Sequence, residues 1–317
     1  VEDAARALAG HAVETPLLES ADLNARVGGR VLLKCENLQR TGSFKFRGAF
    51  NRISRLTDEE LKRGVVAFSS GNHAQAVALA ARLRGARATI VMPADSPVVK
   101  VEGVRAYGGE IRFYDRWTED REAIGRELSE ATGAVLVPPF DDPFVMAGQG
   151  TAGLEIVRQA AAKGATPDAV LVCCSGGGLV AGVATAVKAL SPQAEVFSVE
   201  PEGFDDTRRS LQAGRRETNA AGATSICDAR RVPTPGLLTF EANRRLLSGG
   251  LAVSDAEALA AVAYAARTLK LVVEPGGAVA LAAVLHNKLP VANRTTALVL
   301  SGGNVDPATL VRALSDS

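Results

Sequence analysis

Apolar runs of strand length alternate with stretches of helical periodicity along almost the whole chain. The runs at 31–35, 65–68, 88–91, 110–113, 135–137, 169–173, 195–199 and 296–300 predict strands. Between them, residues 74–83, 118–131, 148–162, 179–190 and 255–268 are rich in alanine and keep an apolar stripe at helical spacing. Strands and helices in such succession predict an α/β fold of parallel sheets covered by helices on both faces. Four consecutive strand–helix units between about 64 and 142 form a block compact enough to be a small domain inserted into a larger one. No internal repeat or low-complexity linker interrupts the pattern.

A chain of 317 residues is too long for one small core and suits two α/β domains. With 47% apolar residues and a mean hydropathy of +0.09 it has ample core material, and no run approaches the length of a membrane span. The net charge of +1 gives no reason to expect nucleic acid or an acidic membrane surface, and Arg208-Arg209 and Arg215-Arg216 read as solvated faces. The four cysteines lack the number and spacing of a disulfide framework or a zinc site. Cys35, Cys173 and Cys174 fall in predicted strands as small hydrophobes, so a reducing compartment is expected. Residues 1–6 are charged and helical in pattern without an apolar signal segment, which adds to the expectation of a cytoplasmic protein.

Candidate chemistry starts at Thr41-Gly42-Ser43-Phe44-Lys45-Phe46-Arg47-Gly48-Ala49, where a lone lysine stands between two aromatics at the start of an amphipathic helix. Aromatic walls and a helix N-terminus disfavour the ammonium form and make the amine a nucleophile suited to Schiff-base chemistry. The plainer alternative is a lysine whose stem packs on Phe44 and Phe46. Ser43 reads as the cap of the following helix. Farther on stand Ser69-Ser70-Gly71-Asn72-His73, Ser175-Gly176-Gly177-Gly178, Glu274-Pro275-Gly276-Gly277 and Ser301-Gly302-Gly303-Asn304, each beside an apolar run and most opening a helix. That is the arrangement in which backbone N–H groups face an anion. At Ser175–Gly178 a dinucleotide pyrophosphate is a rival ligand, with Glu200 some twenty residues on. The glycine spacing, however, departs from G-x-G-x-x-G.

In order and spacing these motifs resemble the pyridoxal-phosphate enzymes of fold type II, most closely the threonine/serine dehydratase and serine racemase branch, from about Thr15 to Val311. The resemblance implies a tryptophan-synthase-β-like architecture, with a large cofactor-binding domain at 1–63 and 143–317 and a small mobile domain at 64–142. Lys45 is then the residue that ties pyridoxal 5′-phosphate and, once freed, the base at the substrate Cα, with Phe44 beside the ring. Ser175, Gly176, Gly177 and Gly178 cradle the phosphate, and Asn72, Gly236, Glu274 and Ser301 border the ring, Ser301 facing its pyridine nitrogen. Ser69, Ser70, Gly71, Asn72 and His73 receive the substrate, with Ser70 matching the opposite-face acid/base of the racemases and His73 read as a brace for the loop. Glu200, the Phe204 carbonyl and Asp206 match a divalent-cation site for magnesium, calcium or manganese. From the residues alone, that acidic stretch reads as a solvated helix N-terminus.

The expected activity is that of a lyase releasing ammonia and a 2-oxo acid from L-threonine, L-serine or both. Serine racemase activity, 3-hydroxyaspartate dehydration and, from another class, non-catalytic binding of a phosphate ligand are the alternatives. A homodimer acting on a small amino acid is implied. Arg230 and Arg231 stand where relatives show an apolar pair, and are expected at an interface or at the substrate mouth.

Overall fold

The structure is a computed structural model that describes residues 1–315 apart from Ser70, Pro97 and Arg231, and without the side chains of Val99 and Arg230. The chain opens with α1 (Glu2–Leu8), β1 (Leu17–Glu19), α2 (Ala21–Val27), β2 (Arg30–Cys35), α3 (Lys45–Ile53) and α4 (Asp58–Arg63). Next come β3 (Val65–Phe68), α5 (Asn72–Leu83), β4 (Ala88–Pro93), α6 (Val98–Ala106), β5 (Glu110–Tyr114), α7 (Arg121–Thr132) and β6 (Val135–Leu136). It continues through α8 (Pro143–Ala162), β7 (Ala169–Cys173), α9 (Gly178–Leu190), β8 (Glu195–Pro201), α10 (Asp206–Ala213) and α11 (Leu237–Leu246). The described chain ends with β9 (Gly249–Val253), α12 (Asp255–Tyr264), α13 (Pro275–Leu285), β10 (Thr295–Leu300) and α14 (Pro307–Ser315).

The strands form two sheets. One has six strands in the order β1-β2-β10-β7-β8-β9, and the other has four in the order β5-β4-β3-β6. Every pairing is parallel except β1 with β2, so the larger sheet is mixed at one edge. All eight expected strands are present. β1 and β9 are additional, one only three residues long and the other opening on Gly249-Gly250. The helix expected over 255–268 ends as α12 at Tyr264 and passes into a π turn at Ala265–Leu269, after which Lys270 takes a left-handed conformation.

Each face of the large sheet has its own core. Alanine-rich α12 and α13 pack with Leu33, Leu171 and Leu298 on one side, and Ile156, Val180 and Val183 of α8 and α9 pack with Leu32, Val170 and Val299 on the other. Side chains alternating along a strand supply both faces. The small sheet has a core shared with α3 and α5, including Phe46, Phe50, Val77 and Ile90. All four cysteines are buried and none of them is in a disulfide, and burial pushes the Cys35 thiol up to about 12, in keeping with a packing role. Among the described residues no helix is long and apolar enough to cross a membrane.

Candidate active site

Some helices begin with a cap from their own N-cap side chain: Ser20 caps α2, Thr57 α4, Asp120 α7, Asp142 α8 and Ser254 α12. By contrast α3, α5 and α9 start with no side-chain cap. Their first residues, Lys45, Asn72 and Gly178, line one cavity together with Phe44, Ser69 and Ser175. Uncapped N–H groups converging on a cavity are an anion site by construction.

Turn 175–178 connects β7 to α9. Gly177 has φ +94°, a left-handed conformation that glycine adopts without strain, and an added Cβ would stand 2.7 Å from Asn243 Nδ2. The turn is braced from outside: Thr239 Oγ1 donates to Gly176 O at 2.6 Å, and Gly236 N to the same oxygen at 3.2 Å. Gly236 does not line this cavity among the described residues; its Cβ position lies 2.3 Å from Asp141 Oδ1. Asp141 accepts from the backbone N–H groups of Leu237, Leu238 and Thr239, so the α11 N-terminus is occupied by this carboxylate. Gly236 thus lies against turn 175–178, and its lack of a Cβ makes room for this cap.

Lys45 is half-buried, with Nζ 5.2 Å from the centre of the Phe44 ring and donating to Pro139 O at 2.6 Å. Phe46 is not a wall of the cavity; its ring packs 5.6 Å from Phe50 in the core. Ser43 does not cap α3 either. Its buried hydroxyl finds no partner among the described residues, and Phe44 occupies the cap position. The first turn of α3 is instead held to the end of β10, where Phe44 N donates to Ser301 O at 3.1 Å and Ser43 bridges Gly302. Ser301 is buried at this junction.

On the opposite wall, Asn72 Nδ2 donates to Glu274 Oε1 at 2.6 Å, and Asn72 Oδ1 accepts from Asn304 Nδ2 at 2.7 Å. Ser69 Oγ accepts from Gly71 N at 3.2 Å. His73 Nε2 donates to Val137 O at 2.9 Å; burial, with the Lys45 charge adding, pushes its pKa down to about 3, so the ring is neutral and ties the first turn of α5 to the residue after β6. Ser70 and Arg231 lie outside the described residues, as does the Arg230 side chain. Sequence reasoning missed two cations of the cavity wall. Lys100 Nζ pairs with Asp228 Oδ2 at 2.8 Å across the cleft, and Arg121 stacks 5.8 Å from the Phe68 ring centre. Among the described residues no carboxylate pairs with Arg121.

Of the acidic stretch at the end of β8, Glu200, Asp205 and Asp206 are buried, and Glu202 alone among its acids is exposed. Glu200 accepts from Thr207 N and Arg208 N at 3.1 and 2.8 Å, and both burial and the charge of Asp206 push its pKa up. Asp206 accepts from Asn219 Nδ2 through Oδ1, while its buried Oδ2 has no partner among the described residues. Asp205 turns away to Arg208 and Arg209. No group of three or more His, Cys, Asp or Glu side chains converges among the described residues. The expected set needs only two carboxylates, with the Phe204 carbonyl as a third ligand. An orphaned carboxylate oxygen beside a carboxylate that resists charging fits a hard cation.

A lysine facing a glycine turn between two uncapped helices fits a cofactor with a reactive carbonyl and a phosphate. The family model of the pyridoxal-phosphate dependent enzymes matches residues 8–302. The chain belongs to this family. The pyridoxal-phosphate enzymes it resembles are those of fold type II. The L-threo-3-hydroxyaspartate ammonia-lyase of a Pseudomonas species is 47% identical over 303 residues, covering 96% of this chain and 93% of that protein. Among solved structures, a threonine deaminase of T.th. shares 48% identity at a TM-score of 0.91, covering 96% of this chain and 97% of its own. The serine racemase of maize shares 39% at 0.92, covering 99% and 95%. This pyridoxal-phosphate enzyme is thus of the lyase and racemase type.

Proposed function

We propose that this pyridoxal-phosphate enzyme is an ammonia-lyase that removes the α-proton and β-hydroxyl of a small hydroxy amino acid such as L-threonine or L-serine, releasing ammonia and a 2-oxo acid. The observation that carries the reading is Lys45, which lines the same cavity as Ser175–Gly178 and the open start of α5. The bound cofactor supplies an aldehyde that condenses with amines and a ring that withdraws electrons from the substrate Cα. In this reading Lys45 would tie the cofactor and, as a free amine, would take the Cα proton. Turn 175–178 holds the phosphate with backbone N–H groups and the α9 dipole. Ser69, Gly71 and the first N–H groups of α5 receive the substrate carboxylate, and Asn72, fixed by Glu274 and Asn304, orients the ring oxygen. Ser301 offers the pyridine nitrogen a hydroxyl where a carboxylate would hold a full positive charge. The weaker electron withdrawal favours prompt loss of a β-leaving group. Residues 64–142, with their own sheet, act as the small mobile domain, and Glu200, Asp206 and the Phe204 carbonyl hold a divalent cation.

One observation favours a dicarboxylic substrate within this class. Lys100 is paired with Asp228, and Glu274 is engaged by Asn72; beyond Lys45, which this reading gives to the cofactor, Arg121 is among the described residues a cation of the cavity wall that a substrate side chain could engage. A second carboxylate at Cβ would satisfy it, as in L-threo-3-hydroxyaspartate, a substrate named for two of the relatives. Ammonia and 2-oxo acid are measured from L-serine, L-threonine and both 3-hydroxyaspartate diastereomers. Release from at least one, lost in Lys45→Ala, is expected; release from none of them contradicts the reading.

A further inference from the structure

Lys45 begins a helix without a cap, and what anchors that turn lies two residues on. Arg47 is 1% exposed, and its guanidinium forks between two carboxylates. It meets Glu36 at 2.7 and 2.8 Å and Glu155 at 2.5 and 2.7 Å, and donates to Thr151 Oγ1 at 3.0 Å. Glu36 follows β2, and Thr151 and Glu155 stand on α8, so one side chain ties three elements. Lys34, fully buried, completes the cluster through Glu155 Oε2 and Thr15 O, both at 2.6 Å. Two cations balance two carboxylates. Burial opposes charge on Glu36, yet Arg47 holds its carboxyl below the usual carboxylate range. Such a cluster is costly unless every member is met, so its geometry tolerates little displacement.

Helix α8 also reaches the second anchor of the cofactor. α3 crosses it where a Cβ on Gly148 would stand 2.5 Å from Arg47 O. α9 touches it where a Cβ on Gly182 would stand 2.2 Å from Met146 O, and α9 starts in turn 175–178. The lysine and the phosphate turn are therefore spaced by one helix.

We propose that Arg47 is a positioning residue: by forking between Glu36 and Glu155 it locks the first turn of α3 to β2 and α8, and so sets the reach of Lys45 Nζ toward turn 175–178. The proposal rests on Lys45 being the residue that ties the cofactor. Arg47→Lys keeps the charge and loses the fork. Lys34→Met removes a charge from the same cluster without touching α3. Melting of the cofactor-free proteins reports lost structure, whereas pyridoxal phosphate affinity, the absorbance of the bound cofactor and kcat report the placement of Lys45. Both variants should melt earlier, but only Arg47→Lys should lose affinity and kcat, each by about tenfold or more, with a shifted absorbance. Should Arg47→Lys not fold, Thr151→Val removes the bond from Arg47 and the one to Gly148 O but no charge; it should lower the same two quantities by roughly threefold. Wild-type affinity and kcat in the variant that folds, or equal losses in Lys34→Met, make the cluster structural only and overturn the proposal. If Lys45→Ala keeps the wild-type absorbance, the reading of Lys45 falls first and this proposal with it.

Discussion

Asn72 Nδ2 and Glu274 Oε1 meet at 2.6 Å, joining the first turn of α5, on the small sheet, to the residue that precedes α13 behind the large one. Both residues line the cavity that also holds Lys45. A hydrogen bond to a charged group contributes more than a neutral one. Glu274→Ala should therefore free the Asn72 amide and weaken pyridoxal phosphate binding by about tenfold, while Glu274→Gln, which keeps an acceptor, should lose less. Titration of the cofactor-free variants checks this.

Arg121 sets the second expectation. Arg121→Leu should lower kcat/KM for L-threo-3-hydroxyaspartate by roughly a hundredfold, the scale of a lost charge-assisted bond, and leave L-serine and L-threonine within about threefold. Equal losses on all three substrates would remove Arg121 from side-chain recognition.

Acid should destabilise the fold in two stages. The folded pKa of His73 is lowered by burial from 6.5 to about 3, so the stability it contributes is complete above the unfolded value and is lost as pH falls through that window. Glu36 is held below its ordinary value of 4.5 against the cost of burial, so its contribution is lost only below that point. The difference in melting temperature between the cofactor-free protein and its His73→Gln variant should be level above about pH 6.5 and shrink below it, and the Glu36 contribution should be lost only below about 4.5. His73→Gln should start lower and show a flatter first stage.

The cation reading predicts that chelation lowers the melting temperature and that magnesium, calcium or manganese restores it. Asp206→Asn, which removes the orphaned carboxylate oxygen, should melt at a temperature that neither chelator nor cation moves. An unchanged response in that variant would place the effect elsewhere.

The strands legible in the sequence are those whose signal is local. A buried run such as Val170-Leu171-Val172 reads as strand without knowing its neighbours, whereas β9 is strand because Gly249–Val253 pair with β8. The glycine turn is legible for the same reason: backbone demands are written in the residues that meet them. What stays hidden depends on distant partners. Glu155 lies 108 residues from Arg47, and Asp141 caps α11 from 96 residues away, so neither carboxylate announces its use. Ser43 shows the converse. A serine before a helix suggests a cap, but β10 already holds that turn through Phe44 N and the hydroxyl is left over.

The proposed function requires that Lys45 carry the cofactor. Borohydride reduction of the protein loaded with pyridoxal phosphate, followed by peptide mass mapping, tests it most directly. A reduced pyridoxyl adduct is expected on the peptide containing Lys45, absent in Lys45→Ala. An adduct confined to any other lysine, or none in a protein that still turns over substrate, contradicts it.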